Sequence, residues 1–157
     1  MNYKIRKINS DEIVVLNDFL YEAIFIPEGI QPPSKDIILQ SELQVYVKEF
    51  GMYKGDIAFV AEIEGKIVGA VWTRIMNDYG HIDDNIPSFA ISLYKEYRRY
   101  GIGTEMMRTA LLELKEQGFL KASLAVQKEN YAVKMYKTVG FKIIDENDEE
   151  FIMLCNL

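Results

Sequence analysis

The chain has 157 residues, 49% of them hydrophobic and 27% charged, which is enough apolar material for one domain with a sizeable core and too much for a disordered chain. A formal net charge of −6 and a pI near 4.9 argue against general nucleic-acid binding, which needs a basic face, and suit a cationic or amine-bearing substrate. The single cysteine, Cys155, excludes an internal disulfide, and the longest apolar runs, such as Ile67 to Trp72, are too short to cross a bilayer. No apolar run of the signal-peptide kind follows Met1 to Arg6. These features predict a single domain over residues 1–157, cytoplasmic, with neither a membrane nor a nucleic acid as partner.

Taken in order, Tyr3 to Ile8 alternates as a first strand. Asn9 or Ser10 caps a predicted helix to about Ala23, with Ile13, Leu16, Leu20 and Ile24 on one face. A proline-rich loop over 25–33 precedes a second predicted helix, capped by Ser34 or Asp36 and running through about Phe50. Ile57 to Ile63 and Ile67 to Arg74 read as a β-hairpin around Glu64-Gly65. Trp72 and Arg74, two apart, share a face of that strand. Arg74 is a candidate to hold a substrate carboxylate; the competing reading is a solvated strand end.

Met76 to Ile86 is a loop carrying His81, Asp83 and Asp84. Their spacing fits no standard metal motif, and no nucleophile motif surrounds Ser88 or Cys155, so neither a metal site nor a serine or cysteine dyad is expected. Asp83 and Asp84 are instead candidates for drawing an amine into a cleft. Pro87 to Tyr94 is a strand, and Ile102 to Gln117 is helical by its apolar spacing, with Ile102, Met106, Ala110 and Leu114 four apart and Gly118 as the stop. A strand from Lys121 to Val126, a short helix capped by Asn130 and ending near Val139, and strands Phe141 to Ile144 and Glu150 to Cys155 complete the chain. The order β-α-α-β-β-β-α-β-α-β-β predicts an α/β fold with a mixed sheet of about six to seven strands and about four helices.

The stretch Lys95 to Thr104 joins the strand to the long helix. Between Lys95 and Tyr100 three basic residues meet one acid, a local charge of +2 in an acidic chain. Gly101 and Gly103 allow a ligand close to the backbone, and a helix's first turn offers free N–H groups and partial positive charge. These features point to a site for phosphate or pyrophosphate; a glycine-punctuated turn with solvated basic residues accounts for them equally well. The triphosphate loop motif is absent, and Met106 occupies the place where a dinucleotide fingerprint needs a third small residue.

Arg98-x-x-Gly101-x-Gly103 resembles the acyl-CoA pyrophosphate loop of the GNAT superfamily of N-acetyltransferases. Asn130-Tyr131-Ala132, Met135-Tyr136 and Gly140-Phe141 resemble that superfamily's C-terminal signature. The resemblance implies acetyl-CoA as cofactor and direct transfer of an acetyl group to a primary amine, on a small molecule, a peptide or a protein, by a chain that often pairs as a homodimer. The N–H groups of Arg99, Tyr100, Gly101, Ile102, Gly103 and Thr104 would hold the pyrophosphate, with Arg98 or Arg99 adding charge. It further implies that the Leu93 backbone pairs with the pantetheine arm and polarises the thioester carbonyl. Tyr136 would protonate the leaving thiolate, although Ala132 and Tyr136 also sit on one helical face as core residues would. Asn130 serves as a helix cap with or without a cofactor contact. Glu28 and Phe25 fall, by resemblance, beside the acceptor cleft.

Neutralising a lysine-like amine of pKa about 10.4 at pH 7 costs roughly 4–5 kcal/mol, so a base has work to do. Ser88 stands where relatives commonly carry a glutamate, which leaves the base unassigned among Asp83, Asp84 and Glu28. A catalytically degenerate acyl-CoA sensor or scaffold is the rival expectation.

Overall fold

The computed structural model describes residues 1–157. Seven strands, β1 (Lys4–Lys7), β2 (Ile57–Ile63), β3 (Lys66–Arg74), β4 (Ser88–Leu93), β5 (Lys121–Gln127), β6 (Lys142–Glu146) and β7 (Glu150–Asn156), form one sheet in the order β1-β2-β3-β4-β5-β7-β6. Four α-helices accompany them: α1 (Leu16–Glu22), α2 (Ser41–Gln44), α3 (Ile102–Glu116) and α4 (Ala132–Thr138). The element order and the mixed sheet are those expected from the sequence.

Strand alternation sends side chains to two cores. Phe59, Ala61, Phe89, Leu93, Leu124 and Met153 pack against the buried face of α3, which carries Ile102, Met106, Met107, Ala110, Leu111 and Leu114. Leu16, Phe19 and Leu20 of α1 cover Ala58, Val60, Ala70 and Trp72 on the opposite face. Each large side chain so buried contributes about 1.5–3 kcal/mol. The hairpin between β2 and β3 turns on Glu64 (φ 50°) and Gly65 (φ 79°), the left-handed pair that matches strand twist.

Two helices differ from expectation. Ser10 to Val15 winds as a 3-10 helix before α1 begins. The β-branched run Ile13-Val14-Val15 is poorly suited to an α-helical first turn. The predicted helix to Phe50 is only a 3-10 turn (Lys35–Leu39) and the four residues of α2. Gln40 between them is extended, and beyond Gln44 the carbonyls of Val45, Tyr46 and Lys48 are taken by side chains of β3. No helix is long and apolar enough to cross a membrane.

The sheet has one weak seam. Every neighbouring pair is antiparallel except β4 and β5, which are parallel and share a single registered pair, Ser88 with Ser123. The Ser123 N–H donates to the Pro87 carbonyl at 2.9 Å; past that point the two strands part.

Candidate active site

The turn from β4 to α3 leaves backbone donors free. Lys95–Tyr97 forms a 3-10 turn, Arg98 is extended, and Arg99 and Gly101 have φ of 70° and 83° on either side of Tyr100. A non-glycine residue at such a φ is strained, a condition that recurs at ligand clamps. The first intrahelical bond of this turn runs from the Glu105 N–H to the Gly101 carbonyl. The N–H groups of Arg99, Tyr100, Gly101, Ile102, Gly103 and Thr104 make no hydrogen bond within the chain. Nothing lies within 4 Å of where a Cβ on Gly101 would be, so the donors there open outward.

The two arginines behave differently. Arg98 turns inward: its Nε donates to the Leu93 carbonyl at 2.9 Å, and its Nη2 lies 3.5 Å from the Glu22 carboxylate. Arg99 is exposed, in no ion pair, with its guanidinium 5.0 Å from the Tyr131 ring at the start of α4. Of the two arginines, Arg99 is the one left without an ion pair. Gly103 brings three elements together, since a Cβ there would meet Leu93 at 3.8 Å, Met135 at 3.9 Å and Ile91 at 4.0 Å.

Along β4 the Tyr94 N–H donates to the Val68 carbonyl at 3.0 Å, so even-numbered residues bond to β3 and the N–H groups of Phe89, Ile91 and Leu93 face β5. Past Ser88 that side has no ladder, leaving Ile91 and Leu93 as donors along the seam. Tyr136, on α4, is buried, and its ring meets Phe141 edge-on at 6.1 Å. Its hydroxyl has no partner in the chain, yet no fully buried side-chain oxygen lacks one, so that hydroxyl retains contact with solvent. Burial pushes the phenol's pKa up, which keeps it a proton donor. Asn130 caps the start of α4, its Oδ1 accepting from the Ala132 N–H at 2.9 Å.

The remaining candidates are scattered. Arg74 is only 5% exposed, not the solvated strand end that competed with its cleft reading; it donates through Nε and Nη2 to Asp56 and through Nη1 to the carbonyls of Val45 (3.0 Å) and Lys48 (2.8 Å). Glu28 is exposed on its loop. Asp83 accepts from the Asn85 N–H at 2.7 Å, and Asp84, exposed, lies 3.5 Å from His81 Nε2. No group of three or more His, Cys, Asp or Glu side chains is gathered as a metal would require.

Asp78 was not singled out by the sequence, although it lies in the Met76 to Ile86 loop. The Tyr46 hydroxyl donates to its Oδ2 at 3.1 Å and the Ser88 hydroxyl to its Oδ1 at 3.3 Å. Ser88 in turn lies 3.2 Å from the Ser123 hydroxyl, which donates to the Gly80 carbonyl at 2.8 Å. A polar chain thus crosses the point where β4 and β5 meet. Burial raises the Asp78 pKa despite both hydroxyl bonds, and burial also raises that of Glu150 at the start of β7.

A model of the acetyltransferase (GNAT) family matches residues 26–141, which include the β4–α3 turn, the seam and Tyr136. The chain belongs to that family. Over 105 residues it is 30% identical to a probable N-acetyltransferase camello of Xenopus tropicalis, covering 66% of this chain and 47% of that protein. The chain spans about half the length of that relative and of the similarly matched human N-acetyltransferase 8B. Among solved GNAT structures, an acetyltransferase from Streptococcus pneumoniae superposes with a TM-score of 0.74 at 21% identity, covering 99% of each chain. The PaiA N-acetyltransferase of Thermoplasma acidophilum, solved with coenzyme A, gives 0.68 at 20% identity over 100% of both chains. These likenesses establish the GNAT fold.

Proposed function

We propose that this chain is a single-domain N-acetyltransferase, acting in the cytoplasm, that moves an acetyl group from acetyl-CoA directly to a primary amine. The observation that carries the reading is the run of free N–H groups from Arg99 to Thr104, a set of donors suited to a pyrophosphate. Its fit to the cofactor is supported by the open space over Gly101 and by the uncommitted charge of Arg99. Acetyl-CoA, when bound, supplies an activated acetyl group. The free Leu93 N–H would pair with the pantetheine arm and polarise the thioester carbonyl, an oxyanion-type contact. The Tyr136 hydroxyl would give a proton to the leaving sulfur, a role consistent with its lack of a protein partner. Arg98 would act indirectly, by fixing the Leu93 carbonyl.

The acceptor is an amine on a small molecule, a peptide or a protein. A primary amine agrees with the N-acetyltransferase names of the relatives and with the chain's net charge of −6. Thermal unfolding with acetyl-CoA, against ATP and NAD, is the direct test. Ligand at 100 times its Kd stabilises by about 2.7 kcal/mol, which is several degrees for a domain of this size. A shift with acetyl-CoA alone, followed by CoA release with an amine panel, supports the enzyme; no shift at millimolar acetyl-CoA overturns the cofactor assignment. A shift without turnover on any amine would leave the acyl-CoA-binding sensor as the function.

A further inference from the structure

On the sheet face opposite α3, β4 and β5 carry small side chains near their junction, Ser88, Ala90, Ser92, Ser123 and Ala125, with Gln127 beyond them on β5. α1 closes one end, where the Ser92 hydroxyl donates to the Phe19 carbonyl at 2.7 Å. At the other end the half-buried Asp78 is the carboxylate hydrogen-bonded to the β4–β5 junction, through Ser88, with Glu150 of β7 nearby. Gly80 holds its loop against β5: a Cβ there would lie 3.1 Å from the backbone of Leu124 and Ala125, too close for any other residue without a shift.

We propose that Asp78 is the group that takes the proton from the acceptor amine. The inference rests on the acetyltransferase reading above. Three observations carry it. Asp78 belongs to none of the chain's ion pairs, so no cation neutralises it. Its two oxygens are each fixed by a hydroxyl, from Tyr46 and Ser88, which orients the carboxylate while leaving further lone pairs to accept a proton. It also stands beside Ser88, at the vertex where the strands diverge and from which the free N–H groups of Ile91 and Leu93 run along β4. Asp83, Asp84 and Glu28 are exposed, and none of them accepts a hydroxyl bond from β4 or stands at the junction of β4 and β5.

The protons balance. The acceptor ammonium gives one proton to the Asp78 carboxylate, which becomes a carboxylic acid and later releases it to solvent. The neutral nitrogen forms a bond to the thioester carbon as the carbon–sulfur bond breaks, and the electron pair leaves on sulfur. Tyr136 protonates that sulfur and recovers its own proton from the nitrogen as the amide forms. The titratable groups facing Asp78 are Tyr46 and Glu150. Burial raises the Asp78 pKa, which makes Asp78 a better proton acceptor than an ordinary aspartate, while the Asp78 charge helps to raise that of Glu150.

Asp78→Asn keeps the shape and one accepting oxygen, and the hydroxyl that meets the amide nitrogen must turn to accept; the variant removes the charge with little change in volume. Two readouts decide, after the melting temperature confirms folding. In carboxyl NMR of aspartate-labelled protein, the resonance missing from Asp78→Asn should titrate above the other aspartates; an ordinary titration overturns the assignment. In steady-state assays with an amine panel, Asp78→Asn should lower kcat/KM by about a hundredfold or more and remove the acidic limb of its pH profile. The stabilisation by acetyl-CoA should stay as in the wild type, and Asp78→Glu should recover part of the activity. A variant that keeps wild-type kcat/KM and its acidic limb overturns the role of Asp78 and leaves the transferase reading standing. A wild type that binds acetyl-CoA but acetylates no amine overturns both.

Discussion

Trp72 and Arg74, two residues apart on β3, reach the same short segment: Trp72 Nε1 donates to the Tyr46 carbonyl at 3.0 Å, and Arg74 Nη1 to the carbonyls of Val45 and Lys48. Side chains from a strand thus satisfy carbonyls that a longer helix would have satisfied itself. Asp56, with its side chain 1% exposed, completes the arrangement by pairing with Arg74 at 2.9 Å and accepting from the Gly51 N–H at 3.0 Å. The segment carrying Tyr46, and with it the hydroxyl on Asp78, hangs on this pair.

Removing one member of the pair leaves the other buried and uncompensated. Asp56→Ala or Arg74→Ala should therefore cost about 3–5 kcal/mol in urea unfolding and lower the melting temperature by roughly 6–20 °C. A gripping role for Arg74 on a substrate carboxylate predicts instead an unchanged melting temperature and a raised KM.

Gly103 is crowded only to the extent of ordinary contact, with no positive φ, so Gly103→Ala should fold and bind as the wild type does. Gly103→Glu sets a carboxylate beside the free N–H groups of the turn. Its melting temperature without ligand should hold, while the several degrees gained from acetyl-CoA at saturating concentration disappear. Calorimetric titration checks the same point directly.

Tyr136→Phe removes a hydroxyl that no protein group needs, and stability should change by less than about 1 kcal/mol. Turnover should fall by about a hundredfold if the hydroxyl protonates the leaving sulfur. Because burial raises the phenol's pKa, the wild type stays protonated well above neutrality, and its activity should decline only at alkaline pH. The residual activity of the variant should lack that decline, which a pH–rate comparison would reveal.

Near the N-terminus, Arg6 holds Glu12 through two contacts of 2.8 Å, and Glu12 also accepts from the Asn9 N–H at 2.9 Å. The Arg6 bond is the larger cause that brings the Glu12 carboxyl down to about 2 from its ordinary 4.5. A lowered folded-state pKa means stability fully present above about 4.5 and lost as pH falls toward 2. Glu12→Gln should flatten the fall in stability across that window, measured by urea unfolding at several pH values.

Much of this was legible in the sequence, for reasons that differ by element. α3 reads almost to the residue because six buried side chains recur at helical spacing and Gly118, at φ 96°, ends it. The β2–β3 hairpin reads from its turn chemistry, and the β4–α3 turn from its glycines. Neighbouring Arg98 and Arg99 could not be told apart, since the 3-10 turn before them decides which one faces Glu22 and which faces solvent. The extent of α2 was misread because its carbonyls are claimed by residues 26 to 29 positions away. Asp78 resembled any loop acid; only Tyr46, 32 residues earlier, and Ser88, at a strand start, give it a distinctive environment.

The single registered pair between β4 and β5 has a consequence for association between chains. A sheet ordinarily has two borders, and here the outer ones are defended: β1 carries Lys4, Arg6 and Lys7, and β6 carries Lys142, Asp145 and Glu146. Such charges discourage a foreign strand from adding on. The parting of β4 from β5 creates two more borders in the middle of the sheet, with Ile91, Leu93, Leu124 and Val126 and no charge among them. Shape, not charge, guards that interior border, because α3 and α4 close one side of it and the Asp78 loop bridges its vertex. Loosening either cover would expose two uncharged strand edges, the kind of border on which a foreign strand adds.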